Sequence, residues 1–513
     1  MPSQSNKKRI AKNTVALYIR MLLGLVVSLY TSRVVLATLG VEDFGVYGVV
    51  GGVVGMFSFL NAAQRGATSR FITFELGKGE KGRLDETFVS TRIVHIGIAL
   101  LVVLLVETVG VWFLNNKLVI PEGRMYAAHW VLQLSILTTF LGIVQTPYGA
   151  LIIAHEKMGI YAYVELLHVF LKLGIVYLLV IGHFDKLILY AILQAAVSVI
   201  ILLIYRIYCL RHFPTTRAKF VWKKDILKSL LSFSGYNLFG NMGGVVNLQG
   251  TNFVVNIFFG VVYNAAVGIA STVAGAVEGF ASNVMTAFRP QITKDYARED
   301  YASFESYLGL AIKTILAVYC IVAIPAYIEI DKVLSIWLKE VPTCSAIFCR
   351  FMLVNIFFAT LRYIITIGIH ATAKVKAISL ITGLLQIMNP FVIWLLFSQG
   401  MEVEYSYLTI IFVNAILCGI DFYLLHRYVP QVNISKLVWS AILILFACTS
   451  SLIVSSVAIH FLDQTIYRIL LTVFVSALCT LSLTWLLCLN RSQRQTIIGY
   501  VRRIFKKKAI TNE

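Results

Sequence analysis

The sequence predicts an all-α membrane protein that crosses the bilayer fourteen times. Two observations lead to this prediction. Hydrophobic residues make up 58% of the 513 residues and charged residues only 13%, with a mean hydropathy of +0.81, whereas soluble domains carry about 25% charged residues. The apolar residues also form continuous runs of about 20 residues, and such runs favour membrane helices over the alternating strands of a barrel.

Each continuous apolar run is long enough to form one helix across the hydrocarbon core of a membrane. The longest runs would extend into water at one end. The spans are predicted at 13–39, 44–75, 84–114, 124–153, 158–181, 186–210, 225–258, 262–288, 304–330, 343–370, 376–398, 404–427, 436–462 and 466–489.

The basic residues indicate how the helices are oriented. The segments on the N-terminal side of the membrane hold about 28 Lys and Arg residues and the opposite segments about five, and cytoplasmic loops carry this excess. Both termini are therefore predicted to be cytoplasmic. The net charge of +19 then reflects membrane topology and the contact of a basic tail with anionic lipid, and it does not indicate a nucleic-acid partner.

Part of the sequence repeats after 220 residues. Residues 24–76 align without gaps with 244–296, and thirteen of the 53 pairs are identical, among them Gly40 and Gly260. Spans 1–6 and 7–12 are therefore interpreted as two parallel copies of a six-helix unit, an arrangement typical of transporters with a substrate site between the copies. The predicted domains are an N-terminal bundle, a C-terminal bundle, a final helix pair and a basic cytoplasmic tail, at 1–212, 213–430, 431–489 and 490–513.

Several basic residues are predicted to lie inside spans, where each charge costs about 2.5–3.5 kcal/mol on insertion scales. Both predicted bundles contribute such residues, and a basic cavity between the bundles would suit an anionic cargo because Arg and Lys bind phosphate. Structural ion pairs are an alternative role, and some of these side chains could extend to the membrane interface instead. The candidate substrate-binding residues are Arg20, Arg33, Arg65, Arg70, Lys172, Lys313 and Arg362.

A second group of ionisable residues could couple transport to an ion gradient. Glu165, His168 and Lys172 follow an i, i+3, i+7 spacing and so share one helix face. That face is predicted to point into the bundle or a wet cavity. The candidate ion-coupling residues are Glu165, His168, Glu278 and Asp421.

The sequence offers no motif for catalysis, for a cofactor or for a metal ion. It contains no HExxH, no Walker motif in a plausible context and no Cys/His cluster with metal-ligand spacing. The protein is therefore predicted not to be an enzyme. Without an ATP site, transport would draw on an ion gradient, the membrane potential or the gradient of the cargo.

Three segments resemble a known family of transporters. Residues 12–47, which end in LGVEDFGVY, residues 147–158, which begin with PYGA, and residues 288–291, which read FRPQ, are similar to the polysaccharide flippases of the multidrug/oligosaccharidyl-lipid/polysaccharide (MOP) exporter superfamily. With the number of spans, the resemblance covers nearly the whole chain. It implies the MATE-like fold of that superfamily, with two six-helix bundles around a central cationic cavity and alternating access.

The resemblance also implies a cargo and a location. The cargo would be an undecaprenyl-diphosphate-linked oligosaccharide, flipped from the inner to the outer leaflet of a bacterial cytoplasmic membrane. It would serve the assembly of a surface polysaccharide, namely the O-antigen of lipopolysaccharide, a capsule or an exopolysaccharide. A polymerase and glycosyltransferases are the expected partners. Three alternatives remain open: a lipid II flippase, a cation-coupled drug or metabolite antiporter, and a non-transporting scaffold of a polysaccharide synthase complex.

Overall fold

The computed structural model describes residues 4–79, 82–180, 184–219, 221–233, 235–372, 374–459, 466–489 and 494. Side chains are described from residue 24 onward, except at 63, 66, 67, 158, 180, 231–237, 283, 286, 287, 290 and 466. The Arg20 side chain and, apart from Arg494, the predicted tail at 490–513 lie outside the described residues.

The regular structure of the described residues is entirely helical. Helix α3 continues through a π-helical turn at Val106–Gly110 into α4, and α17 ends in a second such turn at Thr484–Cys488. The helices are α1 (Gln4–Gly55), α2 (Ser58–Gly77), α3 (Leu84–Leu105), α4 (Val111–Asn116), α5 (Met125–Ala154), α6 (Met158–Val180), α7 (Lys186–His212), α8 (Lys224–Phe233), α9 (Gly235–Phe259), α10 (Val261–Ala297), α11 (Tyr301–Ile328), α12 (Ile330–Trp337), α13 (Ser345–Ala371), α14 (Lys376–Ser398), α15 (Tyr405–Tyr428), α16 (Ile434–Ile459) and α17 (Ile466–Leu483).

Twelve helices among the described residues are long and apolar enough to cross a membrane. Two further predicted spans, 44–75 and 225–258, correspond to the second part of α1 with α2 and to α8 with α9. The counted helix Gly24–Gly55 runs through the break at Gly40 and includes the start of the first of these spans, whereas Asn and Gln residues lower the hydropathy of α9. The helices are therefore compatible with fourteen spans, and that number remains a prediction.

Large apolar side chains on the helix surfaces fit a lipid environment. Tyr163 is 71% exposed, Phe391 63% and Phe474 66%. Soluble monomers rarely expose large contiguous apolar patches. The protein is thus a multi-pass membrane protein.

The predicted repeat reappears in the backbone. Gly40 interrupts α1 with φ of 81° and ψ of 170°, and Gly260 separates α9 from α10 with φ of 81°. These left-handed conformations suit glycine because it has no Cβ. The spacing extends further, since α2 ends at Gly77 and α10 at Ala297, each followed after one residue by a left-handed residue, Gly79 or Glu299.

The chain forms two compact units. The first comprises residues 1–272, 337–345 and 379–409, and the second comprises 273–336, 346–378 and 410–513. The first unit therefore includes α9, the beginning of α10 and α14 from the second sequence repeat. The second unit includes α11, α13, most of α15, α16 and α17.

In the first unit, α5 lies at the centre and packs against α1, α2, α3 and α7. Arg124, just before α5, connects two neighbouring turns. Its Nε donates to Asp43 Oδ1 at 2.7 Å and its Nη1 to Asp185 Oδ2 at 2.6 Å, while Asp185 caps the first turn of α7. The Arg124 guanidinium thus connects the part of α1 that follows Gly40 with the starts of α5 and α7.

Helix α8 is attached to the first unit by ion pairs and apolar contacts. Arg83 Nη1 donates to Asp225 Oδ2 at 2.7 Å and Lys223 Nζ lies 3.0 Å from Glu86 Oε1. Leu230 is fully buried in a cluster with Val94 of α3. These contacts anchor the segment that links the two sequence repeats.

We expect Gly45→Ala to destabilise the first unit strongly. A Cβ at Gly45 would lie 2.1 Å from the carbonyl oxygen of Val261, and this backbone follows the constrained turn at Gly260. Overpacking a core costs about 1–3 kcal/mol and occasionally more, and a rigid backbone neighbour favours the upper end of that range. Thermal unfolding of the purified protein in detergent measures the effect.

The matched control is Gly97→Ala. A Cβ at Gly97 of α3 would meet no atom within 4 Å, so we expect this variant to unfold at the wild-type temperature or above, since alanine favours a helix. Equal unfolding temperatures for the Gly45 and Gly97 variants would contradict the close approach of the two segments.

In the second unit, α11, α16 and α17 pack against one another. Glu329, only 3% exposed at the end of α11, accepts from Arg468 Nε and from Thr472 Oγ1, both at 2.9 Å. Ser451 of α16 is 2.8 Å from Thr480 of α17. Polar contacts between helices replace the hydrophobic effect that lipid cannot supply, and here they fix the final helix pair.

Candidate functional site

The first unit contains a polar cavity of about 360 Å³. This volume lies within the range of small-molecule sites. The cavity is lined by α1, α6 and α7 of the first sequence repeat and by the start of α10 of the second. Its lining residues are Gly24, Val27, Ser28, Thr31, Ser32, Val35, Phe44, Tyr47, Gly48, Val169, Lys172, Tyr190, Gln194, Asn264 and Gly268.

A second cavity of about 180 Å³ adjoins the first. Tyr47 and Gln194 line both cavities. The second cavity adds three hydroxyl groups from α5, those of Ser135, Thr138 and Thr139. Polar groups therefore extend from α6 past Tyr47 and Gln194 to α5.

Lys172 is the one basic residue among the described side chains that line the first cavity. It is half-buried on α6 and lies close enough to Glu165 and to His168 for electrostatic interaction. Both neighbours are themselves half-buried and do not line the cavity. Of the three residues on the predicted i, i+3, i+7 face, only Lys172 therefore lies at the cavity wall.

Two rigid polar groups support the cavity wall. Gln194 Nε2 donates to the Tyr190 hydroxyl at 2.9 Å, and the Tyr190 ring meets the Tyr47 ring edge-on at a centroid distance of 4.7 Å. Asn264 Nδ2 donates to Asn252 Oδ1 at 2.7 Å, and Asn264 Oδ1 accepts from Asn256 Nδ2 at 2.9 Å. Hydrogen-bonded side chains of this kind hold a binding site in one geometry.

Arg362 and Asp421 meet in the second unit. Arg362 Nε lies 3.1 Å from Asp421 Oδ2, and Arg362 Nη1 donates to Asn414 Oδ1 at 2.7 Å. Asn414 in turn donates to Asn355 Oδ1 at 2.7 Å. Arg362 is 9% exposed and Asp421 is fully buried, so a candidate substrate-binding residue and a candidate ion-coupling residue form one buried ion pair.

Lys313 is also buried in the second unit, at 6% exposure. Among the described residues no carboxylate lies within ion-pair distance of it. Its ammonium lies close enough to the Cys488 thiol at the end of α17 for electrostatic interaction. One helical turn earlier, a Cβ at Gly309 would lie 3.5 Å from Leu437 of α16. Lys313 therefore lies on the face of α11 that packs against the final helix pair.

The other predicted residues lie apart from the cavities. Arg33 is half-buried on α1 and lines neither cavity. Arg65 and Arg70 are exposed on α2, where Arg65 is near His95, and Glu278 is exposed on α10. Of the predicted site residues with described side chains, Lys172 alone lines either cavity.

The sequence prediction missed the uncharged members of the site. These members are uncharged polar residues inside apolar spans, whereas the prediction rests on ionisable residues; they are Tyr47, Tyr190, Gln194 and Asn264. Tyr190 and Gln194 are four residues apart, which places them on one helix face. That spacing could have identified them as a pair.

Three comparisons relate the chain to known proteins. The model of the polysaccharide biosynthesis protein family matches residues 7–294. No curated protein matches the chain at a significant level. Among solved structures, an inward-facing multidrug resistance MATE family transporter of the MOP superfamily has 15% identity, covering 83% of this chain and 98% of its own, with a TM-score of 0.64.

Two further structures share the fold. The lipid II flippase MurJ in an inward closed conformation has 13% identity, covers 92% of this chain and 98% of its own, and gives a TM-score of 0.63. A MOP superfamily transporter from Pyrococcus furiosus is 16% identical in sequence. The match covers 83% of this chain and 96% of that transporter's chain, with a TM-score of 0.56. The family match spans more than half of the chain, and the chain therefore belongs to the polysaccharide biosynthesis protein family, with the fold of the MOP superfamily of flippases and transporters.

Proposed function

We propose that this protein flips undecaprenyl-diphosphate-linked oligosaccharide repeat units from the inner to the outer leaflet of a bacterial cytoplasmic membrane by alternating access. The observation that carries the proposal is a polar cavity lined by both sequence repeats with Lys172 at its wall. An ammonium group there offers a partner to a diphosphate, and hydroxyl and amide groups offer hydrogen bonds to sugars.

The remaining basic residues have different roles in this proposal. Arg33, Arg65 and Arg70 attract the anionic cargo along the helices, together with Arg20. Lys313 and Arg362 are the proposed substrate-binding residues of the second unit, where Arg362 is also paired with Asp421. In this proposal both termini lie in the cytoplasm, as the basic loops favour, and a polymerase and glycosyltransferases act on the same cargo.

Asp421 supports ion coupling in the second unit. Its Oδ2 faces Arg362, whereas its Oδ1 is buried and has no hydrogen-bond partner among the described residues. A buried carboxylate oxygen without a partner is unfavourable, and a proton or a cation would relieve this. Glu165, His168 and Glu278 are the other candidates, and an ion-coupled antiporter is the second function that this feature favours.

The proposal is tested by deleting the gene in a host that makes a surface polysaccharide. We expect the surface polysaccharide to disappear and lipid-linked repeat units to accumulate on the cytoplasmic side, because synthesis continues without translocation. Expression of the wild-type chain from a plasmid should reverse both effects. Normal surface polysaccharide without accumulated lipid-linked units would contradict the proposed function, and altered drug susceptibility alone would support the antiporter.

A further inference from the structure

The wall of the cavity has features that a diphosphate does not require. Tyr47 and Tyr190 present two aromatic rings at an interplanar angle of 63°. Gln194 lies one helical turn from Tyr190 and is hydrogen-bonded to it. These three residues carry no charge, so they lack the charge-assisted hydrogen bonds that make Lys and Arg strong partners of phosphate.

Part of the hydrogen-bonding capacity of this wall is unused. Gln194 donates one N–H to Tyr190, while its carbonyl oxygen and second N–H have no partner among the described residues. The Tyr190 hydroxyl accepts that bond and retains its own proton. Thr31 Oγ1, also at the cavity, is buried without a partner in the described part of the chain. The wall therefore offers both donors and acceptors.

This combination matches the chemistry of a sugar ring. Sugar hydroxyls both donate and accept hydrogen bonds, as amides and hydroxyls do. The C–H faces of a pyranose are apolar and can pack on aromatic rings, and tyrosine adds a polar group at its edge. Diphosphate oxygens, in contrast, only accept hydrogen bonds, so they would leave the Gln194 carbonyl oxygen without a donor.

The order of groups along the cavities also matches the order in the cargo. Lys172 lines the first cavity only, Tyr47 and Gln194 line both cavities, and the hydroxyls of Thr138 and Thr139 line the second only. A diphosphate at Lys172 would therefore have its attached sugar beside Tyr47 and Gln194, with further sugars directed toward α5.

We propose that Tyr47, Tyr190 and Gln194 form a subsite that selects the saccharide residue attached directly to the diphosphate. The subsite rests on the proposed function, because it assumes a lipid-linked saccharide as cargo. Gln194 and the Tyr190 hydroxyl form hydrogen bonds with the sugar hydroxyls, and Tyr47 packs against the apolar face of the sugar ring.

The test compares two probes with the full-length protein in lipid nanodiscs. The probes are undecaprenyl diphosphate and undecaprenyl diphosphate bearing one N-acetylhexosamine. For the wild type we expect tighter binding of the sugar-bearing probe. In Gln194→Leu we expect this preference to fall about tenfold while affinity for the bare diphosphate stays within about twofold, since loss of one hydrogen bond to a polar ligand is worth about a factor of ten.

Further variants separate sugar reading from phosphate binding and from folding. Tyr190→Phe removes one oxygen and should lower the preference by a smaller factor. Lys172→Met should weaken both probes equally. Tyr163→Phe, the same change at a side chain that is 71% exposed on α6, should alter neither affinity. Thermal unfolding of each variant establishes that the protein is folded.

The outcomes distinguish the subsite from the proposed function. If the wild type binds neither probe, the proposed function fails and the subsite fails with it. If the wild type binds both probes and Lys172→Met weakens both, but folded Gln194→Leu keeps the wild-type preference, the subsite alone is refuted. Equal weakening of both probes by Gln194→Leu would also refute a sugar-selecting role. Loss of the sugar preference alone would establish it.

Discussion

Replacing Lys172 by methionine is expected to lower translocation of a diphosphate-linked cargo by about ten- to a hundredfold. Lys172 is the only predicted basic residue with a described side chain at the cavity wall. Hydrogen bonds to charged groups contribute about 1.5–3 kcal/mol, and each 1.4 kcal/mol changes an equilibrium about tenfold. Initial rates of cargo translocation in proteoliposomes, corrected for the amount of inserted protein, measure the effect.

Two variants control this experiment. Lys172→Arg keeps the positive charge and should retain a substantial part of the activity. Lys186→Met removes a lysine that is exposed at the start of α7, outside both cavities, and should transport at the wild-type rate. Wild-type transport by Lys172→Met would mean that the cargo does not use this cation.

Breaking the Arg362–Asp421 pair is expected to destabilise the protein severely. Removing one partner of a buried ion pair costs about 3–5 kcal/mol because the other charge is left uncompensated. Arg362→Ala and Asp421→Ala should therefore each lower the unfolding temperature of the detergent-purified protein. Lys436→Ala provides the matched control, because Lys436 is 70% exposed where it pairs with Glu305 and surface ion pairs contribute about 0–1 kcal/mol.

A double variant then separates stability from transport. Apolar residues of similar volume often replace a buried ion pair without loss of stability, so Arg362→Met with Asp421→Leu should restore the unfolding temperature. Because Asp421 is proposed to bind the coupling ion, we expect the double variant to remain inactive in transport. Full transport by a stable double variant would show that the pair is structural only.

The membrane fold follows from the sequence because its signals are local. A run of apolar residues determines a helix, and Gly40 and Gly260 each mark a break that the backbone confirms with the same left-handed φ. Two of the fourteen apolar runs do not stand as separate spans among the twelve counted helices, although both segments are helical. Glycines in these segments permit close packing, as Gly45 does against Val261.

The pairing of charges could not be read from the sequence. Arg362 and Asp421 are separated by 59 residues, and Glu329 and Arg468 by 139. No periodicity links positions on different helices, so the sequence predicts separate roles for Arg362 and Asp421. Their direct contact was one of the alternatives that the sequence left open, as a structural ion pair.

The candidate site was predicted in part. The sequence predicts Lys172 as a site residue because a lysine inside an apolar span needs a polar environment, and the cavity provides one. Gln194 and Asn264 could not be selected on that ground, since uncharged polar residues are common at contacts between membrane helices. What distinguishes them is their position at a cavity, which depends on how α1, α6, α7 and α10 pack.

The most direct test of the account is translocation by the purified protein in proteoliposomes. A fluorescent undecaprenyl-diphosphate-linked oligosaccharide, placed in one leaflet, becomes accessible to a membrane-impermeant reagent only after it has crossed the bilayer. We predict that vesicles containing the wild-type chain translocate this lipid well above protein-free vesicles and that Lys172→Met vesicles do so at least about tenfold more slowly. Equal rates in protein-containing and protein-free vesicles, under an imposed ion gradient as well as without one, would contradict the account.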